Sequence, residues 1–351
     1  MGRAIREHLD TSTAAAGSLG AANDRDRAAA SAVYIHGLGN HADEHALTAR
    51  WDRALFGRDL DGHSRMAYWV DRARYPQSEG CDCADPVCGC GAHEEPGLGS
   101  ALAGVCAPIQ FEMAIRAATG DAEQRAFLRE IGLLAMQRAK AQAAGNDGRQ
   151  RRDSHGRAVA ASTGLGLPDA VDFLFDPARR RHMEDVFRQR LHRDDGPCVV
   201  VAHSQGSLIA YDVLRQLRRR DIDVRLFVTV GSPLGLAPLR RVIQSWVGQT
   251  RLPFPACVRR WVNVVAAGDV LAFDPQLPDA IALPARGGTF EQHCIGREER
   301  DRNPLFAGNP HAALGYLSSA IVQQCVRAAW QAVASVHGGL RELATRDSLS
   351  S

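Results

Sequence analysis

The amino-acid sequence predicts an α/β fold, a mostly parallel central sheet flanked by helices and interrupted by a helical, Cys-rich insertion. Three observations point there. Short, unbroken apolar runs such as "CVVVAH" (198–203) and "RLFVTV" (225–230) read as strands covered on both faces. Segments of helical period separate those runs, as the crossovers between parallel strands require. With 45% hydrophobic residues among 351, the chain can bury a sizeable core in one large domain or two smaller ones.

Residues 1–30 are rich in Ala, Arg and Asp without a clear period and are expected to form a poorly ordered lead-in. "SAVYIH" (31–36) reads as a buried strand that ends in the tight Gly loop "GLGN". Leu47, Trp51 and Leu55, four apart, mark a helix, and "MAYWVDRARY" (66–75) a second strand stopped by Pro76. Residues 76–167 differ: a Cys- and Gly-rich loop, two Ala-rich helical stretches, and the polar tract "AGNDGRQRRDSHGR", read as mobile. Phe127, Ile131 and Leu134 give the second of these helices an apolar stripe with which to cover something. This block reads as a cap insertion into a core made of residues 31–75 and 168–335, with 336–351 as a tail.

From Pro168 the rhythm resumes. A helix runs through Phe173 and, after Pro177, continues through Val186 and Leu191. Then come strand 198–203, a helix over 205–219, strand 225–230, a helix near 237–247, strand "WVNVVAAG" (261–268), a weaker strand at Thr289–Ile295 and a final helix over about 311–335.

Forty-two Lys and Arg against 40 Asp and Glu leave a net charge of +2, so composition supplies no strong field for nucleic acid or an anionic membrane. The runs Arg179–Arg181 and Arg218–Arg220 read as solvated helix flanks. The N-terminal stretch lacks the apolar core of a signal peptide and no segment reaches membrane-spanning length, so a cytoplasmic location without an integral membrane segment is expected. Nine cysteines, an odd and sparse set, suggest mostly reduced thiols.

Ligands and chemistry gather beyond the carboxyl ends of a parallel sheet, and Ser204 lies at such an end. In "AHSQG" the positions two before and two after it are Ala202 and Gly206, small enough for a sharp strand-to-helix elbow. By itself the pentapeptide leaves two readings open, a nucleophile or a helix N-cap. A serine nucleophile needs a histidine to take its proton and an acid to orient that histidine. Asp269 follows strand 261–268 and His311 precedes the final helix, in the order Ser, Asp, His. Asp274, His293 and Ser232 compete for these roles. A solvated turn, a strand histidine and a turn or cap serine are their ordinary readings. The backbone N–H groups of Gln205 and, in "HGLG", Leu38 are suited to face a developing oxyanion, although the same glycines could merely make a tight turn. His36 reads as a packing residue.

The strings "VYIHGLGN", "VVVAHSQGSLIAYDVL", "FVTVGSPLGL", "WVNVVAAGDVLAFD" and "HAALGYL", in that order, resemble the bacterial serine esterase and lipase members of the α/β-hydrolase superfamily. The resemblance covers 31–75 and 168 to about 325. It implies an α/β-hydrolase fold, Ser204 as nucleophile, Asp269 as acid, His311 as base, and Leu38 with Gln205 as oxyanion donors. Ala202 departs mildly from the usual glycine. The block 76–167 matches no motif, which leaves the substrate open.

Within that block, Cys81, Cys83, Cys88 and Cys90 form C-x-C-x4-C-x-C, with His93 close behind. Four thiolates could hold a structural zinc, the pairs could form disulfides, or the thiols could be unligated. Four sulfur ligands would leave no open position for catalysis. The expected function is cleavage of a small-molecule or lipid carboxylic ester through an acyl-enzyme on Ser204, without a catalytic cofactor and without a nucleic-acid partner. An acyltransferase or phospholipase using the same residues, or a non-catalytic binding protein, are the rivals.

Overall fold

The structure is a computed structural model. It describes residues 31–38, 41–74, 107–144, 167–191, 196–272, 274, 276–284, 287–306 and 309–333. The lead-in, Cys81, Cys83, Cys88, Cys90, His93, most of the polar tract and the tail lie outside the described residues.

The first strand, β1 (Ser31–Ile35), is followed by α1 (Glu44–Phe56) and β2 (Ser64–Ala67). Asp43 opens α1 by accepting the His45 and Ala46 amides, and Gly57, at φ 75°, closes it in the left-handed conformation. The insertion contributes α2 (Ala107–Ala118) and α3 (Ala122–Ala144). Next come α4 (Leu167–Phe175), α5 (Pro177–Leu191), β3 (Cys198–His203), α6 (Gln205–Leu214), β4 (Val224–Val230) and α7 (Ala237–Val247). Then follow β5 (Leu252–Pro253), β6 (Arg260–Ala266), α8 (Leu277–Ala280), β7 (Ile281–Ala282), β8 (Thr289–Ile295), α9 (Arg297–Arg302), α10 (Ala313–Leu317) and α11 (320–333).

Six strands form one sheet in the order β2-β1-β3-β4-β6-β8, every neighbouring pair parallel, while β5 and β7 pair separately. The inner strands β1, β3, β4 and β6 are mostly apolar and buried because both faces of the sheet are covered there. Val33, Ile35, Val200 and Ala202 pack with Phe173, Phe187 and Leu208 on one face. Ala32, Tyr34, Val199 and Val201 pack with Trp51, Leu55, Tyr316 and Val326 on the other. The chain adds β2 on one side of β1 and β3 on the other. The strand order therefore reverses between β1 and β3, the position beyond whose carboxyl ends ligands collect in open α/β sheets. Among the described residues no helix is long and apolar enough to cross a membrane.

Three expectations need correction. The second strand stops at Ala67 rather than continuing to Tyr75, because the next residues hold the loop after β1: Tyr68 donates to the Ala42 carbonyl (2.8 Å) and the Trp69 amide to the His36 ring (3.2 Å). The helix expected over 205–219 ends at Leu214, and the Arg218 amide turns instead to the Asp221 carboxylate (2.7 Å). The final helix is two helices. Between them the Ser318 hydroxyl donates to the Leu314 carbonyl (2.7 Å), and at Ser319 the amide and hydroxyl both donate to the Tyr316 carbonyl three residues back (3.1 and 2.6 Å), a tightened turn that ends the first helix.

Candidate active site

Ser204 is the single residue between β3 and α6, and it sits at φ 51°, ψ −128°. Positive φ is strained for a residue with a Cβ, and the surroundings hold it there. Its amide donates to the Val230 carbonyl (3.1 Å) and its carbonyl accepts the Ser207 amide (2.9 Å). The elbow needs small neighbours for a measurable reason. A Cβ at Gly206 would fall 2.3 Å from the His36 carbonyl oxygen, and one at Gly37 would fall 2.9 Å from the Ser204 Cβ. Although Ser204 occupies the N-cap position of α6, its side chain makes no cap bond. The hydroxyl points elsewhere, to His311.

The Ser204 hydroxyl lies 2.9 Å from His311 Nε2, and His311 Nδ1 lies 2.9 Å from Asp269 Oδ2. A carboxylate on Nδ1 keeps the proton there and leaves Nε2 as an acceptor. Asp269 stands in the turn after β6, made possible by Gly268 at φ 96°. Its Oδ1 accepts the Leu271 and Ala272 amides (3.1 and 3.2 Å), and its Oδ2 also accepts the Tyr316 hydroxyl (2.5 Å). Burial pushes this carboxyl up, but the His311 ring and the hydrogen bonds from His311, Tyr316 and the Leu271 amide outweigh it and hold it below the ordinary aspartate value. All three residues are buried, Ser204 at 4%, Asp269 at 2% and His311 at 7% exposure, so the interactions act away from bulk water.

Two residues in this arrangement went unnoticed in the sequence. Tyr316 packs one turn into α10 and, besides donating to Asp269, accepts the Ala266 amide (2.9 Å). Its position five after His311 was a visible signal only in hindsight of the short helix. His203, just before the elbow, donates from Nε2 to the His311 carbonyl (2.9 Å); burial and the neighbouring His311 lower its pKa to about 3, so it is a neutral tether.

The competing residues are occupied elsewhere. Asp274 pairs with Arg240 (2.9 Å) and accepts the Gln276 amide (2.9 Å). His293 sits within β8 beside Glu291 (3.4 Å). Ser232 caps the 3-10 turn Pro233–Gly235 and accepts the Ser207 hydroxyl (2.7 Å). His36 donates from Nδ1 to the Gly37 carbonyl (2.8 Å) and stacks on Trp69 at 4.9 Å. Burial drives its pKa well below the usual value. It braces the Gly37–Leu38 loop beside Ser204. Neither the Leu38 nor the Gln205 N–H donates to a described acceptor, and the Gln205 side chain ties the elbow to α4 through the Asp169 carbonyl (3.1 Å).

Comparison with protein-family models and with curated proteins finds no match.

The insertion reaches this site. From α3, the Arg138 guanidinium donates to the carbonyls of Gly235 (3.2 Å) and Val270 (3.4 Å), and Ala135 is buried against Val270. Phe127, Ile131 and Leu134 pack on the same apolar cluster as Leu38 and Leu271. A cavity of about 270 Å³ is walled by Trp69, Arg72, Asp172, Arg179, His182 and Met183, and Ser204 is not among its walls. Among the described residues no group of three or more His, Cys, Asp or Glu could hold a metal ion, and the four-cysteine cluster lies outside them.

Proposed function

We propose that this chain is a serine hydrolase of the α/β-hydrolase type that cleaves a carboxylic ester. The reading is carried by the relay from Ser204 through His311 to Asp269, two contacts of 2.9 Å among residues that follow β3 and β6 and precede α10. Ser204 Oγ attacks the ester carbonyl while His311 Nε2 takes its proton, and the carbonyl oxygen becomes an oxyanion facing the Leu38 and Gln205 N–H groups. The C–O bond to the alcohol then breaks, and His311 returns the proton to the departing alkoxide. Water, deprotonated by the same nitrogen, attacks the acyl-enzyme and releases the carboxylic acid and the free serine. Asp269 holds the His311 tautomer and stabilises the imidazolium that forms at each proton transfer.

Apolar side chains from Leu38, Leu271 and α3 near the relay favour a hydrophobic acyl or alcohol group over a highly charged substrate. A fluorophosphonate probe tests the reading. It is expected to label the native protein covalently at Ser204 and to leave a folded Ser204→Ala variant unlabelled. No labelling of the native protein, or equal labelling of both, removes it.

A further inference from the structure

We infer that β8 is the seat of a two-fold contact with a second copy of this chain, joining two sheets through their edges. This rests on the edge itself and is independent of the hydrolase reading. β8 pairs only with β6, and its seven residues Thr289–Ile295 form one end of the six-stranded sheet. Among the described residues nothing pairs with its outer side. Thr289 and Cys294 are exposed, and Phe290 to His293 are half-buried.

The hydrogen-bond parity of the strand is known from its ends. The Thr289 amide donates to the Arg259 carbonyl (3.1 Å), and the Ile295 carbonyl accepts the Ala267 amide (2.9 Å). Residues 289, 291, 293 and 295 therefore turn their backbone groups toward β6, and the register runs without a bulge. Phe290, Gln292 and Cys294 turn theirs outward.

That outward set is self-complementary. In an antiparallel pair centred on Gln292, Phe290 meets Cys294 of the second copy and Gln292 meets Gln292. All are positions that exchange both N–H and C=O, so three residues per strand close about six hydrogen bonds. The same centring sets Glu291 directly opposite His293 of the second copy, an acid against a base on one face, twice by symmetry. Arg260, bonded to Glu291 at 2.8 Å from both Nε and Nη2, holds that carboxylate in place. The edge lacks several of the usual guards against such pairing: "TFEQHCI" has no Lys, no Pro and no bulge. A two-fold axis through Gln292 makes this a closed, isologous contact rather than the start of a filament.

Sedimentation velocity across micromolar concentrations is expected to show a monomer–dimer equilibrium. Cys294→Pro is the discriminating variant: its amide faces away from β6, so the proline removes no bond within the sheet but removes donors from the shared edge. It is expected to weaken dimerisation by at least about tenfold with an unchanged far-ultraviolet spectrum. A protein that stays monomeric, or a dimer indifferent to Cys294→Pro, overturns the inference. Should the variant misfold, hydrogen exchange of the wild type decides. Protection of the 290, 292 and 294 amides that is lost on dilution supports the contact, and protection independent of concentration overturns it.

Discussion

Replacing Glu184 by Gln is expected to give a stability advantage over the wild type that grows as the pH rises from 5 to 8. Glu184 on α5 and Asp212 on α6 are buried at the helix–helix contact, 5% and 2% exposed, with the two carboxyl groups close enough to raise the Glu184 pKa. Arg188 donates to Glu184 (2.9 Å), Arg180 stands at 3.9 Å, and Arg215 donates to Asp212 (2.6 Å). Burial first, then the Asp212 carboxylate, raise the Glu184 pKa from 4.5 to about 7. The folded protein thus keeps a proton that the unfolded chain has lost above pH 4.5. Stability from this group is fully present below the unfolded value and drains away as the pH climbs to about 7. At roughly 1.4 kcal/mol per unit the whole shift, which already includes the opposing effect of Arg188, is worth about 3 kcal/mol, and solvent screening reduces it to about 2. Gln reproduces the neutral carboxyl, with an oxygen for Arg188 and an N–H for Asp212, and has nothing to titrate. At about 2 °C per kcal/mol for a chain of this length, the difference in melting temperature between variant and wild type should widen by roughly 4 °C across that range. Calorimetric scans at pH 5, 6, 7 and 8 read it. A gap that stays constant or narrows with pH would refute the shared-proton account.

Three further outcomes follow from other contacts. Tyr316→Phe removes the 2.5 Å bond to Asp269 and strands the Ala266 amide; denaturant unfolding should show a loss of about 2–4 kcal/mol, and a loss within experimental error contradicts the geometry. Gly206→Ala drives a Cβ to 2.3 Å from a backbone oxygen that cannot swing away, so a loss of about 3 kcal/mol or failure to fold is expected, and a fully stable variant would show that the elbow is not packed this tightly. For Cys81, Cys83, Cys88 and Cys90, elemental analysis of untreated protein is expected to give zinc in a ratio close to one per chain if the four thiolates share a metal, and a ratio near zero discards that site.

Much of the architecture was legible from local pattern. β3 and β4 are continuous apolar runs because both faces of the sheet are covered, and that condition writes itself into consecutive residues. The elbow was legible too, since the small residues Ala202 and Gly206 lie two positions either side of Ser204. The ends of elements were less so. Ala67 ends β2 because Tyr68 and Trp69 are claimed by a loop some 30 positions earlier, and no periodicity within 66–75 reports such a claim.

By itself, then, the chain's local chemistry determined roughly where strands and helices run and that Ser204 and Asp269 follow strands while His311 precedes a helix, because burial and turn sterics act over a few neighbouring residues. Only the tertiary structure decided that His311 reaches Ser204 across 107 positions, that Tyr316 holds Asp269 and His203 holds His311, and that Arg138 ties the insertion to the loop of Asp269. It alone placed Glu184 against Asp212 and left β8 at the rim of the sheet. These are contacts between distant segments, set by how the layers stack, and spacing along the chain carries no record of them.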